Sequence, residues 1–158
     1  MSIQSITFTS NQEALAFLSL QMASFTVEAL LIGYRPIPPV LDTISSLMES
    51  KEVFVGYYVE EKLRKELVGA ISYEQQGEVV TIARLVVQPH YFRQGIASAL
   101  MNEVIRVCKQ QGIEHLRVTA AADNTPAMSL YTRFEFTQKD SNVYEGIRLS
   151  TLYRKVNL

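Results

Sequence analysis

Cysteine is nearly missing from this sequence. Cys108 is the single one in 158 residues, which excludes an internal disulfide framework and any Cys-rich metal site. It falls on the apolar stripe of its helix four residues after Val104, so it reads as a structural thiol rather than a nucleophile. Charge of one sign is also missing. The formal net charge is −1, so there is no broad basic field and nucleic acid is not an expected partner. The first residues, Met1-Ser2-Ile3-Gln4, lack a basic region leading into an apolar core, so no signal peptide is read there. The longest apolar-rich stretch, residues 14–32, is interrupted by Gln21, Ser24 and Glu28. It reads as an amphipathic helix of a soluble protein rather than a membrane span. The expectation is a cytoplasmic protein with no membrane partner. Linkers, low-complexity segments and internal repeats are absent as well. With 47% hydrophobic and 20% charged residues, the chain has the composition and length of one globular domain.

The most informative stretch is Leu85-Val86-Val87-Gln88-Pro89-His90-Tyr91-Phe92-Arg93-Gln94-Gly95-Ile96-Ala97. A β-branched run ends at proline, an aromatic and basic turn follows, then glycine. After it Ala97, Leu100, Met101, Val104 and Cys108 recur at helical spacing. The pattern is strand, tight loop, helix. Gly95 permits a sharp turn and the close approach of a ligand. The first helical turn carries N–H groups without internal acceptors and the positive end of the helix dipole, a setting suited to phosphate. Arg93 adds a cation beside it. The loop lacks the glycine-Lys-Ser/Thr arrangement of a P-loop and the three-glycine dinucleotide pattern, which argues against a nucleotide-binding protein.

Taken in order, alternation predicts a strand over residues 3–8. Ser10 or Asn11 caps a helix whose apolar face is Leu15, Leu18, Met22, Phe25 and Ala29. Residues 33–39, with three prolines, form a rigid loop. Leu41, Ile44, Leu47 and Met48 mark a short second helix. Strands are expected over 52–59 and 67–73, with the charged residues 60–66 as a solvated turn, and then over 79–87. The glycine-loop helix runs to about Gln111 and stops at Gly112. A strand over 116–121 follows by a right-handed crossover, hence parallel to the strand before it. Asn124 or Thr125 caps a helix with Pro126 in its first turn, ending near Arg133. Residues 134–138 and 146–156 close the chain as two strands, with residues 140–144 between them. The result is a mixed sheet with helices on both faces, and ligands in such sheets sit at the carboxyl ends of strands.

A second segment, Asn124-Thr125-Pro126-Ala127-Met128-Ser129-Leu130-Tyr131, puts Asn124, Ala127 and Tyr131 on one helix face. Together with Leu85-Val86-Val87-Gln88-Pro89 and Arg93-Gln94-Gly95-Ile96-Ala97, it resembles the GCN5-related N-acetyltransferase (GNAT) superfamily. The match is strongest over residues 79–136, and the order of elements outside that span also fits. The resemblance implies a single α/β domain over residues 1–158, with a mixed, mostly antiparallel sheet of about six to seven strands and about four helices. It implies acetyl-CoA as co-substrate and no metal. Leu85 N–H would face the thioester carbonyl. Val87, with Val86 between them in the motif, would pair with pantetheine like an added strand. N–H groups of Arg93, Gln94, Gly95, Ile96, Ala97 and Ser98 would hold the pyrophosphate. Asn124 would bond the pantetheine arm, with Ala127 on the same face, and Tyr131 would face the sulfur as the catalytic acid.

Two positions depart from the family pattern. Phe92 stands where Gln or Arg usually begins the loop, and Glu135-Phe136 stands where many members have Gly-Phe. The second departure predicts a different helix end, because glycine is the residue suited to a left-handed cap.

Acyl transfer to an amine needs a neutral amine, an oxyanion donor and protonation of the leaving thiolate. Leu85 N–H suits the second task and Tyr131 the third. The base is unassigned. Thr81 stands where several relatives carry a glutamate; Glu28, on the first long helix near the Pro-rich loop, is the first alternative, with Glu74 and His90 behind it, beside a chain of waters. The loop 33–39, with Tyr34 and Arg35, would cover the acceptor pocket. The expected activity is acetyl transfer to a primary amine of a small molecule or peptide by direct attack in a ternary complex. The alternative is a non-catalytic acyl-CoA-binding or regulatory domain. The free edge of the last strand leaves a homodimer open.

Overall fold

In the computed structural model, which describes residues 1–33 and 42–157, one seven-stranded sheet carries helices on both faces. The elements in chain order are β1 (Ser2–Ile6), α1 (Asn11–Ile32), α2 (Ile44–Glu49), β2 (Val53–Glu61), β3 (Arg64–Gln76), β4 (Val79–Val87), a 3-10 turn (Pro89–Tyr91), α3 (Ile96–Gln110), β5 (His115–Ala121), α4 (Thr125–Arg133), β6 (Thr137–Tyr144) and β7 (Ile147–Lys155). The sheet order is β1-β2-β3-β4-β5-β7-β6. Only β4 and β5 run parallel, and every other neighbouring pair is antiparallel. The fold is thus a single α/β domain with a mixed, mostly antiparallel sheet and, among the described residues, four helices. The expected cover loop, beyond Gly33, and the helix position Leu41 lie outside the described residues.

The core has two parts, one on each face of the sheet. Ile96, Leu100, Met101, Val104 and Cys108 of α3 pack with Leu130 and Tyr131 of α4 against β-strand residues such as Ile71, Val80, Ile82 and Leu116. On the opposite face Ala14, Phe17, Leu20 and Phe25 of α1 pack with Leu47 of α2, Phe54, Ala70 and Val86. Phe8, Phe17 and Phe54 meet edge to face there, with ring centroids 4.8–5.6 Å apart. Close approach of α3 to the sheet depends on Gly69, where an added Cβ would lie 2.6 Å from Ile96 Cγ2.

Several expectations are corrected. The apolar face of α1 is not the one read from spacing: Leu15 and Met22 are exposed at 54% and 48%, and the buried side carries Ala14, Phe17, Gln21 and Phe25. Nor is the helix amphipathic. By length and composition it is apolar enough to cross a membrane, so hydropathy could not say which side packs, and Gln21 is drawn inward by polar partners. Residues 60–66 are not a solvated turn. They extend both strands of the β2–β3 hairpin, pairing Glu60 with Lys65 and Glu61 with Arg64. The turn shrinks to Lys62 and Leu63, both left-handed at φ 48° and 69°, as a two-residue hairpin turn of that twist requires. Residues 140–144 likewise belong to β6, which runs along the sheet edge with every residue exposed. An edge strand held only by backbone pairing on one side shows no alternation to read.

The end of α4 also differs from expectation. Glu135 adopts the left-handed conformation anyway, at φ 66°. Phe136 N–H donates to Tyr131 O at 2.9 Å and Glu135 N–H to Thr132 O at 3.0 Å, so the helix closes as it would with glycine. Burial of Phe136, packed 5.6 Å from the Tyr131 ring, holds the turn in that form.

Candidate active site

The site arises where two central strands part. β4 and β5 pair only from Val79 to Ile82 with His115 to Val118. β4 then stays with β3 as far as Val87, and β5 stays with β7 as far as Ala121. A wedge opens between them at the carboxyl ends of both strands. Its start is marked by a β-bulge: Tyr73 faces Ile82 and Ser72 faces Arg84, leaving Ala83 as the extra residue. The bulge reverses the alternation. Val80 and Ile82 point to the α3 face before it, while Arg84 and Val86 turn to the α1 face after it.

A cavity of about 600 Å³ fills the wedge on the side of the glycine loop, between β4, α1 and the starts of α3 and α4. Leu85, Val87, Arg93, Gly95, Ile96, Ala97, Ser98, Asn124, Ala127 and Tyr131 all line it, beside Ser24, Val27, Glu28 and Leu31 of α1. Gly95 is the N-cap of α3 at φ 80°, with no side-chain cap hydrogen bond, and Arg93 is also left-handed at φ 62°. The N–H groups of Ile96, Ala97 and Ser98 precede the first intrahelical donor, Ala99, which bonds Gly95 O at 2.9 Å. They form a set of main-chain donors at the positive helix end. Two of the residues named for their main chain direct their side chains elsewhere. Val86 packs its side chain in the α1 core, and Gln94 is exposed, its amide 3.5 Å from His90 O.

Val87 N–H, on the open edge of β4, donates to Ser24 Oγ at 3.4 Å. Leu85, two residues earlier, presents its N–H along the same edge. Ser24 was not read from the sequence as a site residue. It keeps a strand-edge donor occupied from the neighbouring helix.

A second cavity, of about 250 Å³, lies on the other side of the wedge. Glu28, Leu85, Asn124, Ala127 and Tyr131 line both cavities and so form the passage between them. Asn124 caps α4 by accepting from Ala127 N–H at 3.3 Å. With its carbonyl used in this way, its amide N–H₂ is the group that hydrogen-bonds the Glu28 carboxylate. Burial raises the Glu28 pKa, and the Asn124 hydrogen bond lowers it by less. Tyr131 is 5% exposed. Burial first, and the Glu28 charge second, push its phenol well above the usual range, so it is protonated at neutral pH. Thr81, Glu74 and His90 line neither cavity. Burial pushes the Cys108 thiol up to about 11, which keeps it protonated. Among the described residues no group of three His, Cys, Asp or Glu side chains is placed to hold a metal.

Arg84 forms the floor beside the second cavity. Its Nη1 donates to Asp42 Oδ2 at 2.5 Å and to Gln21 Oε1 at 2.9 Å, and its Nε and Nη2 grip Glu52. Ser72 and Ser50 donate to the same Glu52 carboxylate at 2.6 and 2.9 Å. Burial raises the Glu52 pKa, but hydrogen bonds from Arg84 and Ser72, the Arg84 charge and Ser50 outweigh it and hold the carboxyl below its usual value. The sequence did carry a signal for this cluster, a single arginine inside an apolar strand, since a buried cation requires partners.

A sheet whose central parallel strands part around a glycine loop, with a helix on either side of the gap, is the acetyltransferase fold of GNAT type. The chain belongs to that family: the model of the acetyltransferase (GNAT) family matches residues 14–136. It is 35% identical over 146 residues to the UPF0157 protein YqkA of Bacillus subtilis, covering 89% of this chain and 41% of that one. The chain thus spans well under half the length of this relative. Among solved structures, the PaiA N-acetyltransferase of Thermoplasma acidophilum in complex with coenzyme A superposes with a TM-score of 0.73 at 18% identity, over 98% of this chain and 99% of that one. An aminoglycoside 6′-N-acetyltransferase complexed with coenzyme A gives 0.75 at 12% identity, over 100% and 98%. At those identities the likeness is one of fold.

Proposed function

We propose that this protein is an acetyl-CoA-dependent N-acetyltransferase acting on a primary amine, without a metal. The observation that carries this reading is the junction of the two cavities at Glu28, Leu85, Asn124, Ala127 and Tyr131. One cavity offers the main-chain donors of the glycine loop, suited to a pyrophosphate. The other shares with it the residues that bring a carboxylate, a strand-edge N–H and a phenol together.

Each reacting group then has a role. Leu85 N–H stabilises the carbonyl oxygen as it gains charge. The amine nitrogen attacks the carbonyl carbon, the C–N bond forms and the C–S bond breaks. Glu28, its basicity increased by burial, accepts the proton that the nitrogen releases. Tyr131 gives its phenolic proton to the leaving sulfur. Glu28 then returns a proton to Tyr131, which restores both groups. Ser24 releases the Val87 N–H so that the extended arm of the co-substrate can accept from it.

The test is calorimetric titration with acetyl-CoA, with NADH and ATP as controls, followed by release of free CoA in the presence of amines. Selective acetyl-CoA binding with amine-dependent CoA release supports the enzyme. Absence of binding by folded protein overturns the reading, and binding without turnover of any amine leaves a non-catalytic acyl-CoA-binding domain. Tyr131→Phe retains binding and loses kcat, while Glu28→Gln lowers kcat most above the raised Glu28 pKa, where the parent carboxylate is free to accept the proton, and least at low pH.

A further inference from the structure

We infer that the acceptor is a small monoamine with an apolar body, and not a polyamine or an aminoglycoside; this rests on the acetyltransferase reading above. The second cavity has room for roughly eight water-sized groups at about 30 Å³ each. Its apolar wall is formed by Phe25, Ile82, Ala83, Ile147 and Leu149, with the neutral Thr119 beside them. Among the described residues lining it, Glu28 is the sole carboxylate. Arg84 also lines it, but its guanidinium is taken up by Glu52, Asp42 and Gln21, and neither Asp42 nor Glu52 reaches the cavity.

One carboxylate can receive one ammonium. A second cation held inside the cavity would lie against Ile147, Leu149 or Phe25 and would lose hydration with no carboxylate there to replace it. An alkyl or aryl body buries its surface on the same walls and gains by doing so. Tyr144 of β6 is half exposed and lines the cavity, so an aromatic body has a ring to pack against.

The experiment uses the whole chain in two stages. Calorimetry with acetyl-CoA comes first, and its failure overturns the acetyltransferase reading itself and this inference with it. Given binding, CoA release is followed with 2-phenylethylamine, hexylamine, spermidine and kanamycin. The expected result is a kcat/KM at least about tenfold higher for the two monoamines than for spermidine or kanamycin. Equal or faster turnover of spermidine or kanamycin, or no turnover of either monoamine by protein that binds acetyl-CoA, overturns the inference and leaves the co-substrate assignment standing. Ile147→Glu supplies a second carboxylate at the rim. It should raise the spermidine-to-phenylethylamine ratio of kcat/KM by about tenfold, and an unchanged ratio counts against the inference.

Discussion

Arg84 holds Glu52 in a fork, with Nε 2.9 Å from Oε1 and Nη2 3.1 Å from Oε2. The same guanidinium lies 5.8 and 5.4 Å from the Phe17 and Phe54 ring centres. One side chain thus ties β4 to the start of β2, to α1 through Gln21 and to the segment before α2 through Asp42. Both carboxylates and the arginine side chain are 11–14% exposed, so neither partner can fall back on water. Arg84→Met should cost about 3–5 kcal/mol in urea unfolding, because two buried carboxylates lose their cation. Adding Asp42→Asn and Glu52→Gln to it should recover part of that loss. No recovery would mean that the packing of the arginine stem matters more than its charge.

Gly95 and Gly112 form a matched pair. Both are left-handed, at φ 80° and 70°, and an added Cβ meets nothing within 4 Å at either. Gly95→Ala and Gly112→Ala should therefore lose similar stability, about 1 kcal/mol each, from backbone strain alone. Only Gly95 lines the large cavity. Calorimetry should show acetyl-CoA binding at least about tenfold weaker for Gly95→Ala and unchanged for Gly112→Ala. Equal affinities would remove the glycine loop from the binding site.

Glu135 is exposed and left-handed at φ 66°. Replacing it with glycine relieves that strain and removes a carboxylate from the negative end of α4. Glu135→Gly should stabilise the protein by about 1 kcal/mol in thermal or urea unfolding. A neutral or destabilising result would show that the Glu135 side chain contributes to the turn.

The raised Glu28 pKa sets a sign for pH dependence. The folded protein holds this proton more tightly than the unfolded chain, whose value is the ordinary 4.5. Its stabilising contribution is full below pH 4.5 and is lost as pH rises through the folded value. Glu28→Gln should therefore match the parent protein in melting temperature near pH 4 and exceed it at pH 7. A larger gain at pH 4 than at pH 7 would contradict the shift.

Much of the wedge was legible because its residues punctuate the chain. Strand β4 has the bounds read for it, since Gly77 and Pro89 bracket an apolar run. Asn124 and Pro126 announce the start of α4, and Gly95 that of α3, by local backbone chemistry that no distant contact alters. The unread features depend on distant contacts instead. The face of α1 is decided by Gln21 meeting Asp42 and Arg84, partners far along the chain. The pairing of Glu28 with Asn124 joins α1 to α4 across the gap, so the sequence could rank Glu28 ahead of Glu74 by its place near the Pro-rich loop but could not show its partner. Edge strand β6 is polar from Thr137 to Asn142 and exposed along its whole length, so it carried no periodic signal.

The extra residue at Ala83 acts as a change of phase within one strand. Before it, odd and even positions belong to one assignment of faces; after it, they exchange. Chimeras joined inside β4 must therefore conserve phase as well as length. Removing Ala83 would make Ile82 and Arg84 successive residues on opposite faces, so the arginine would keep its place toward α1 and only the bulge would be lost. Pairing the strand regularly with Ala83 retained would instead invert everything from Arg84 to Val87 and swing the arginine toward the α3 core, although not a single side chain had been changed.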